Sequence, residues 1–205
     1  MSNLIKGFVV GLALIVLGGC SLFPSRPPEL LVDHDFGPIQ TQASEKPAVP
    51  VLIHVKSLSW LTGTSIHYRL LYRDPTAVYA YADNRWIAPP AALLKARLRA
   101  RLGLRASVTA GPPPEVERLV LVLSRFDQNF STPDKAFVRL AIQGRLYDVT
   151  TGRLLAEKTV DLKQACAPSV TGAVEGLGAL ARRADRIFVQ LVRRHALREP
   201  KDSTP

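Results

Sequence analysis

Acidic residues are in short supply in this sequence: 17 Asp and Glu stand against 27 Lys and Arg, a formal net charge of +10. Cysteine is scarcer still, with only Cys20 and Cys166. No close pair of cysteines is present to hold a metal. The four histidines, His34, His54, His67 and His195, are scattered, and none shows the paired helical spacing of zinc proteases. There is no nucleophile elbow and no phosphate-binding glycine loop. These absences leave catalysis little to stand on, so the expectation is a protein that is not an enzyme and needs no metal or cofactor. Internal repeats are absent too, and there is no low-complexity block beyond the proline-rich stretch near the N-terminus.

No apolar run reaches the roughly 20 residues that a membrane-spanning helix needs. Residues 7–19 come nearest, apolar or small throughout, with Lys6 before them and Gly18-Gly19 at their end. A charged start, a short apolar stretch and small exit residues make a secretory signal. The exit, Leu17-Gly18-Gly19-Cys20, resembles the bacterial lipobox. That resemblance implies thioether diacylation of Cys20, cleavage before it and acylation of the new amino terminus. Each buried methylene contributes about 0.8 kcal/mol, and two chains already anchor stably. Ser21 rather than Asp follows the cysteine, which by resemblance to Gram-negative sorting patterns favours the outer membrane and a domain facing the periplasm.

Cleavage would leave 186 residues, with 26 basic against 17 acidic and a formal +9. With Cys20 acylated, Cys166 is the one remaining thiol and has no internal disulfide partner; a small buried residue is the reading preferred over a reactive thiol. The core must then hold the fold alone, which is feasible because a domain of about 150 residues buries about 70% of its unfolded surface. The basic residues form two clusters: Lys95, Arg97, Arg99, Arg101 and Arg105, then Arg182, Arg183, Arg186, Arg193, Arg194 and Arg198. Export, and the lack of aromatics between these charges, argue against nucleic acid. A membrane surface, anionic headgroups or an acidic protein fit better, beside the simpler reading of a solvated helix face.

Residues 1–19 are therefore read as the signal, and 20–50 as a lipid-anchored, proline-rich tether. Within the tether, Glu-Leu-Leu-Val-Asp-His-Asp-Phe at 29–36 can form a short edge strand. The domain spans 51–197, and 198–205 is expected to be a disordered tail. Residues 51–56 are a short apolar run, read as a buried strand. Residues 65–73 alternate, with Ile66, Tyr68, Leu70 and Tyr72 on one face, and 76–82 continue as a hairpin partner. Pro89-Pro90 opens a helix to about Leu102, stopped by Gly103. The apolar stretch 119–123 reads as a central strand covered on both faces. Residues 136–147 and 153–162 form a second hairpin across Thr150-Thr151-Gly152. A final helix is expected at 170–196, with Val174, Leu177, Ala181, Ala184, Phe188 and Leu191 on its buried side. Gly172, Gly176 and Gly178 weaken its first turns while letting it approach the sheet closely. The fold class is α+β: an antiparallel or mixed sheet of about six to seven strands carrying two main helices on one side, in a single domain.

Leu61-Thr62-Gly63, Ile66-His67-Tyr68-Arg69, Tyr79 and Tyr81, and Trp86-Ile87-Ala88-Pro89-Pro90 opening a helix resemble the auxiliary lipoproteins of ABC-type transport systems. The Asp148-Val149-Thr150-Thr151-Gly152 turn and the long final helix fit the same pattern, over about residues 29–195. The resemblance implies an auxiliary or docking component of a lipid-transport apparatus. Its partners would be a periplasmic MCE-domain protein and an inner-membrane ABC permease and ATPase, with self-assembly into a homo-oligomer left open. An outer-membrane lipoprotein for envelope assembly or cell-wall binding is the competing reading. So is a direct lipid carrier, which would need a large apolar cavity.

Three aromatics are candidate partner contacts. Tyr79 and Tyr81 lie on one strand face opposite Val78 and Ala80, although cross-strand packing alone would explain them. Trp86 could anchor a partner, but beside a helix start the preferred reading is a core residue. Tyr68 and Tyr72 are expected in the core. Glu115 and Glu117 read as solvated loop charges after the triple proline. Asp127 and Asn129 could line a polar site, but a turn explains them more simply.

Overall fold

The computed structural model describes residues 30–39, 50–104 and 116–196. The signal and lipobox, most of the tether, Glu115, Arg105, Arg198 and the C-terminal tail lie outside the described residues. The elements run β1 (Val32–His34), β2 (Val51–Ser57), a 3-10 turn (Ser59–Leu61), β3 (Ser65–Leu70), β4 (Tyr79–Trp86) and α1 (Pro90–Arg101). After these come β5 (Glu117–Thr132), β6 (Lys135–Asp148), β7 (Leu154–Cys166) and α2 (Val170–Ala196). The architecture is the expected α+β one: a seven-stranded mixed sheet with two helices.

The sheet is ordered β1-β4-β3-β5-β6-β7, and β2 also pairs with β5. β5 is the organising strand. Along one edge it pairs antiparallel with β6 over its whole length. Along the other, β2 occupies 117–123 and β3 occupies 127–130, both parallel and laid end to end. The change of neighbour falls where β5 also shifts register against β6, between Leu123 and Arg125. β7 completes the second hairpin on β6.

Alternation on β5 and β6 builds one core face. Leu119, Leu121, Leu123, Phe126, Val138, Leu140, Ile142 and Leu146 are buried beneath the helices. Against them α2 sets Ala173, Leu177, Leu180, Ala181, Ala184, Phe188, Val189 and Val192, while α1 adds Leu94 and Leu98. The stretch 119–123 is not covered equally on its two faces: Val120 and Val122 point to the uncovered side and are half-buried.

The glycines of α2 explain how close it lies. A Cβ at Gly176 would stand 2.8 Å from Val138 Cγ2, and one at Gly172 would meet the Ala167 carbonyl oxygen at 2.3 Å. The sheet offers a matching gap at Gly144, which faces the Phe188 ring. The first turn of α2 is capped, since Ser169 Oγ accepts the Gly172 N–H at 3.2 Å. α1 begins on Pro90 and ends at Gly103, whose φ of 65° suits glycine.

The edge strand expected within residues 29–36 is present as β1. β1 pairs parallel with the end of β4, matching Val32 to Asn84 and His34 to Trp86. Phe36 then enters the core, with ring centroids 5.1 Å from Trp86 and 5.3 Å from Phe126. Its backbone is held by both helices: Arg182 Nη1 donates to Phe36 O and Arg97 Nη1 to Gly37 O, each at 2.8 Å. Between the helices, Asp185 is buried with Arg97 Nε at 4.0 Å and Arg101 Nη1 at 3.5 Å. Burial pushes the Asp185 carboxyl above, and the Arg97 guanidinium below, their ordinary ranges.

Candidate functional site

The tyrosines that the sequence singled out converge where β3, β4 and β5 meet, beyond the first turn of α2. Parallel pairing puts Tyr68 beside Gln128, and antiparallel pairing puts it opposite Tyr79. Tyr68 stacks on Tyr79 at 5.3 Å, meets Tyr81 at 4.7 Å and turns an edge to Phe130 at 5.9 Å. Such ring pairs contribute about 0.5–1.5 kcal/mol each beyond their buried area. Tyr81 is fixed at its polar end: its hydroxyl donates to Gln128 Oε1 at 2.6 Å. Burial pushes its phenol up to about 12. Tyr79 stays 38% exposed, beside exposed Val78 and Ala80.

This cluster borders an open sheet edge. β1 pairs with β4 only at Asn84 to Trp86, so among the described residues the outer edge of 79–83 has no neighbouring strand. Exposed aromatic and apolar side chains next to unpaired strand edge form a surface that suits a protein partner.

The cluster differs from the sequence reading in several places. Trp86 is 1% exposed between Phe36 and Phe126, so it takes the core reading and presents nothing to a partner. Tyr68 is packed but only half-buried, and Tyr72 is exposed because the chain turns after Leu70. The hairpin partner starts three residues later than expected, at Tyr79, because 71–78 form turns and loop.

Gln128 is the residue that the sequence reading passed over. Its Oε1 accepts from Tyr81, and its Nε2 donates to Ala167 O at 2.9 Å, Ser169 O at 3.2 Å and Cys166 Sγ at 3.3 Å. One side chain thereby joins β4, β5, the end of β7 and the start of α2. Cys166 is half-buried, and burial pushes its thiol up. The missed signal was the unbroken period of two through 126, 128 and 130, which makes Gln128 an inward-facing position.

Asp127 and Asn129 are not in a turn, because β5 runs on to Thr132. They lie on the uncovered face, where Asp127 is 0% exposed. Arg69 Nε and Arg125 Nη2 each donate to Asp127 Oδ2 at 2.9 Å, and Arg125 Nη2 also reaches Asn129 Oδ1 at 3.3 Å. The Arg69 guanidinium sits over the Trp60 ring at 5.5 Å, and His67 turns an edge to that ring. Desolvation holds the His67 imidazole below its ordinary value. A carboxylate so fully engaged by two arginines ties β3 to β5 on this face. Glu117 is also no loop charge: it opens β5, is buried, and faces His195 at 3.9 Å. His34 contacts Asn84 at 2.8 Å and His195 contacts Leu155 O at 3.0 Å, so the histidines do not converge.

Two open hollows bear on the carrier reading. The larger, about 430 Å³, lies between the β1 segment and α2, lined by Asp33, Asp35, Ile87, Glu175 and Arg182. The other, about 190 Å³, lies on the uncovered face beside Arg118, Tyr147 and Gly152. Neither is an enclosed apolar chamber of the kind a lipid carrier needs. No helix among the described residues is long and apolar enough to cross a membrane.

No family model matches the sequence, and no curated protein matches it. Solved structures do match. A Xanthomonas campestris protein of the DUF330 family superposes with a TM-score of 0.61 at 11% identity, covering 84% of this chain and 91% of its own. A second crystal structure, of an uncharacterized protein, gives 0.57 at 11% identity, covering 78% and 99%. A putative lipoprotein from Caulobacter crescentus overlaps 53% of this chain and 84% of its own at 17% identity, with a TM-score of 0.43. At these identities the likeness is one of fold, and in fold this chain is similar to the DUF330 protein over nearly all of both molecules.

Proposed function

We propose that this protein is a lipoprotein anchored through Cys20 to the periplasmic face of the outer membrane. There it serves as the auxiliary docking component of an MCE-type ABC lipid-transport system. It carries out no covalent chemistry: it binds a periplasmic MCE-domain protein and so places the transport apparatus against the membrane. The observation that carries the docking role is the tyrosine cluster at the open edge of β4. Tyr79 is exposed on a base of Tyr68, Tyr81 and Phe130, and the base is rigid because Gln128 ties it to α2. Rigid aromatic anchors lose little conformational entropy on binding, which suits a docking surface. Among the residues that resemble the transport auxiliary lipoproteins, Ile66-His67-Tyr68-Arg69 fall on β3 and Tyr79 and Tyr81 on β4, the strands that build this edge. The anchor rests on the lipobox resemblance at Leu17-Gly18-Gly19-Cys20.

The test is a mild-detergent pull-down of the processed protein through a C-terminal tag, with Tyr79→Glu as the comparison. Recovery of an MCE-domain protein by the parent, falling at least about tenfold in the variant, supports the docking role, since central aromatic anchors contribute roughly 2 kcal/mol or more. Recovery of cell-wall fragments or an assembly machine, with no MCE-domain protein even after cross-linking, would overturn it. Acylation is read separately, from the mass of the N-terminal peptide.

A further inference from the structure

Charge is distributed unequally between the two layers of the domain. On the uncovered sheet face, arginines stand beside carboxylates: Arg69 and Arg125 on Asp127, Arg139 on Asp161, Arg145 on Glu157. On the helix layer only the inward-facing Arg97 and Arg101 do, sharing the buried Asp185. The solvent stripe of α2 carries Arg183, Arg186 and Arg194, all exposed, and α1 adds the partly exposed Lys95 and Arg99. The acids of these helices are Glu175, about two turns before Arg183, and Asp185, which is buried against Arg97 and Arg101. Among the described residues, Lys95, Arg99, Arg183 and Arg194 have no carboxylate within ion-pair distance. Arginine at a helix C-terminus complements the dipole, which accounts for Arg193 and Arg194. It gives no reason for Arg183 and Arg186 near mid-helix.

A second observation concerns where the N-terminal chain joins the domain. The chain enters along the edge strand β1, and directly after it the backbone at Phe36 and Gly37 is held by Arg182 of α2 and Arg97 of α1, so the point of entry adjoins the helix layer. Val32 follows Cys20 by twelve residues, a stretch that reaches about 40 Å at most when fully extended. With acyl chains on Cys20, that length keeps the point of entry, and the helix layer beside it, within about 40 Å of the bilayer.

We infer that the helix layer is the membrane-facing side of the domain, and that Arg183, Arg186 and Arg194, with Lys95 and Arg99, bind anionic phospholipid headgroups. Several basic side chains on one face attract an anionic leaflet without inserting into it. The guanidinium fork matches phosphate geometry. The uncovered sheet face, where Arg69, Arg125, Arg139 and Arg145 are paired with carboxylates, then points away from the membrane. This orientation rests on the proposed acylation of Cys20; the lipid specificity of the arginine face does not.

The test is arginine footprinting with phenylglyoxal, read by mass spectrometry. The processed protein is reconstituted on vesicles of phosphatidylcholine alone, or of phosphatidylcholine with phosphatidylglycerol. Phosphatidylglycerol should slow modification of Arg183, Arg186 and Arg194 about fivefold or more, reversibly with salt. Arg118, exposed on the sheet face, should react equally on both vesicles. In a variant carrying R183Q, R186Q and R194Q, which removes only exposed side chains, the protection of Arg99 should disappear. Equal reactivity of the helix arginines on the two vesicles, or protection of Arg118 instead, overturns the inference. So does protection of Arg99 that survives in the variant. The N-terminal peptide mass reports acylation in the same digest, so failure of the anchor is distinguished from failure of the face.

Discussion

Gly144 offers a sharp test of how α2 sits on the sheet. The residue is in β6, facing the helix, and a Cβ there would stand 2.3 Å from Phe188 Cε1 and 2.7 Å from Leu121 Cδ2. Carbon atoms settle at about 3.5–4.0 Å, so Gly144→Ala demands a shift of roughly 1 Å or more. Phe188 and Leu121 are 1% and 0% exposed, so neither can swing into solvent. Overpacking of this kind costs about 1–3 kcal/mol, while alanine in place of a strand glycine returns about 0.5–1 kcal/mol. The expected net loss is about 1–2 kcal/mol, read as a lower urea midpoint at unchanged slope. Phe188→Leu removes the clashing edge of the ring. That substitution is itself destabilising by about 1–2 kcal/mol, but in its background Gly144→Ala should cost clearly less, the approach to Leu121 Cδ2 alone remaining. The double-mutant cycle should therefore show a favourable coupling of about 1 kcal/mol. If Gly144→Ala matches the parent within about 0.5 kcal/mol, or costs the same with and without the ring, the close approach of α2 described above is wrong.

Two further outcomes follow from the polar groups. Asp127→Ala leaves Arg69 and Arg125 facing each other without their carboxylate and should cost about 3 kcal/mol; Asp161→Ala, at an ion pair with both partners more than 40% exposed, should cost under about 1 kcal/mol, and equal losses in thermal unfolding would refute the distinction. Because the folded Tyr81 phenol holds its proton to about 12 against an ordinary 10.0, its contribution to stability is present below pH 10 and lost as pH rises toward 12. Tyr81→Phe should flatten that loss in denaturation measured across this window, and an unchanged slope would count against the burial of the Tyr81 hydroxyl.

Much of the architecture was legible from periodicity. The heptad-like recurrence of Val174, Leu177, Ala181, Ala184 and Phe188 defined α2, and the alternation of 136–147 defined β6, because local side-chain direction depends only on the backbone period. Errors arose where a tertiary neighbour overrode a local signal. Asp127, Gln128 and Asn129 look like turn residues, yet β6 and β3 flank them on both edges and draw them into β5. Glu117 follows a proline-rich loop but pairs across from Val51 and is buried. The hairpin partner of β3 begins late for a similar reason, since its pairing was set by where Tyr68 meets Tyr79.

The sequence alone determined the exported, lipobox-bearing N-terminus as an expectation, the α+β class, the two helices and the excess of arginine, since each is a matter of composition or short-range period. Only the tertiary structure decided that Trp86 belongs to the core and Tyr79 to the surface, that Gln128 joins four elements, and that Arg99, Arg183 and Arg194 gather without a carboxylate on the helix layer, beside the edge strand where the N-terminal chain enters. Those outcomes depend on which strands and helices become neighbours. That choice is made by burial and pairing between segments far apart in the chain, and no local pattern encodes it.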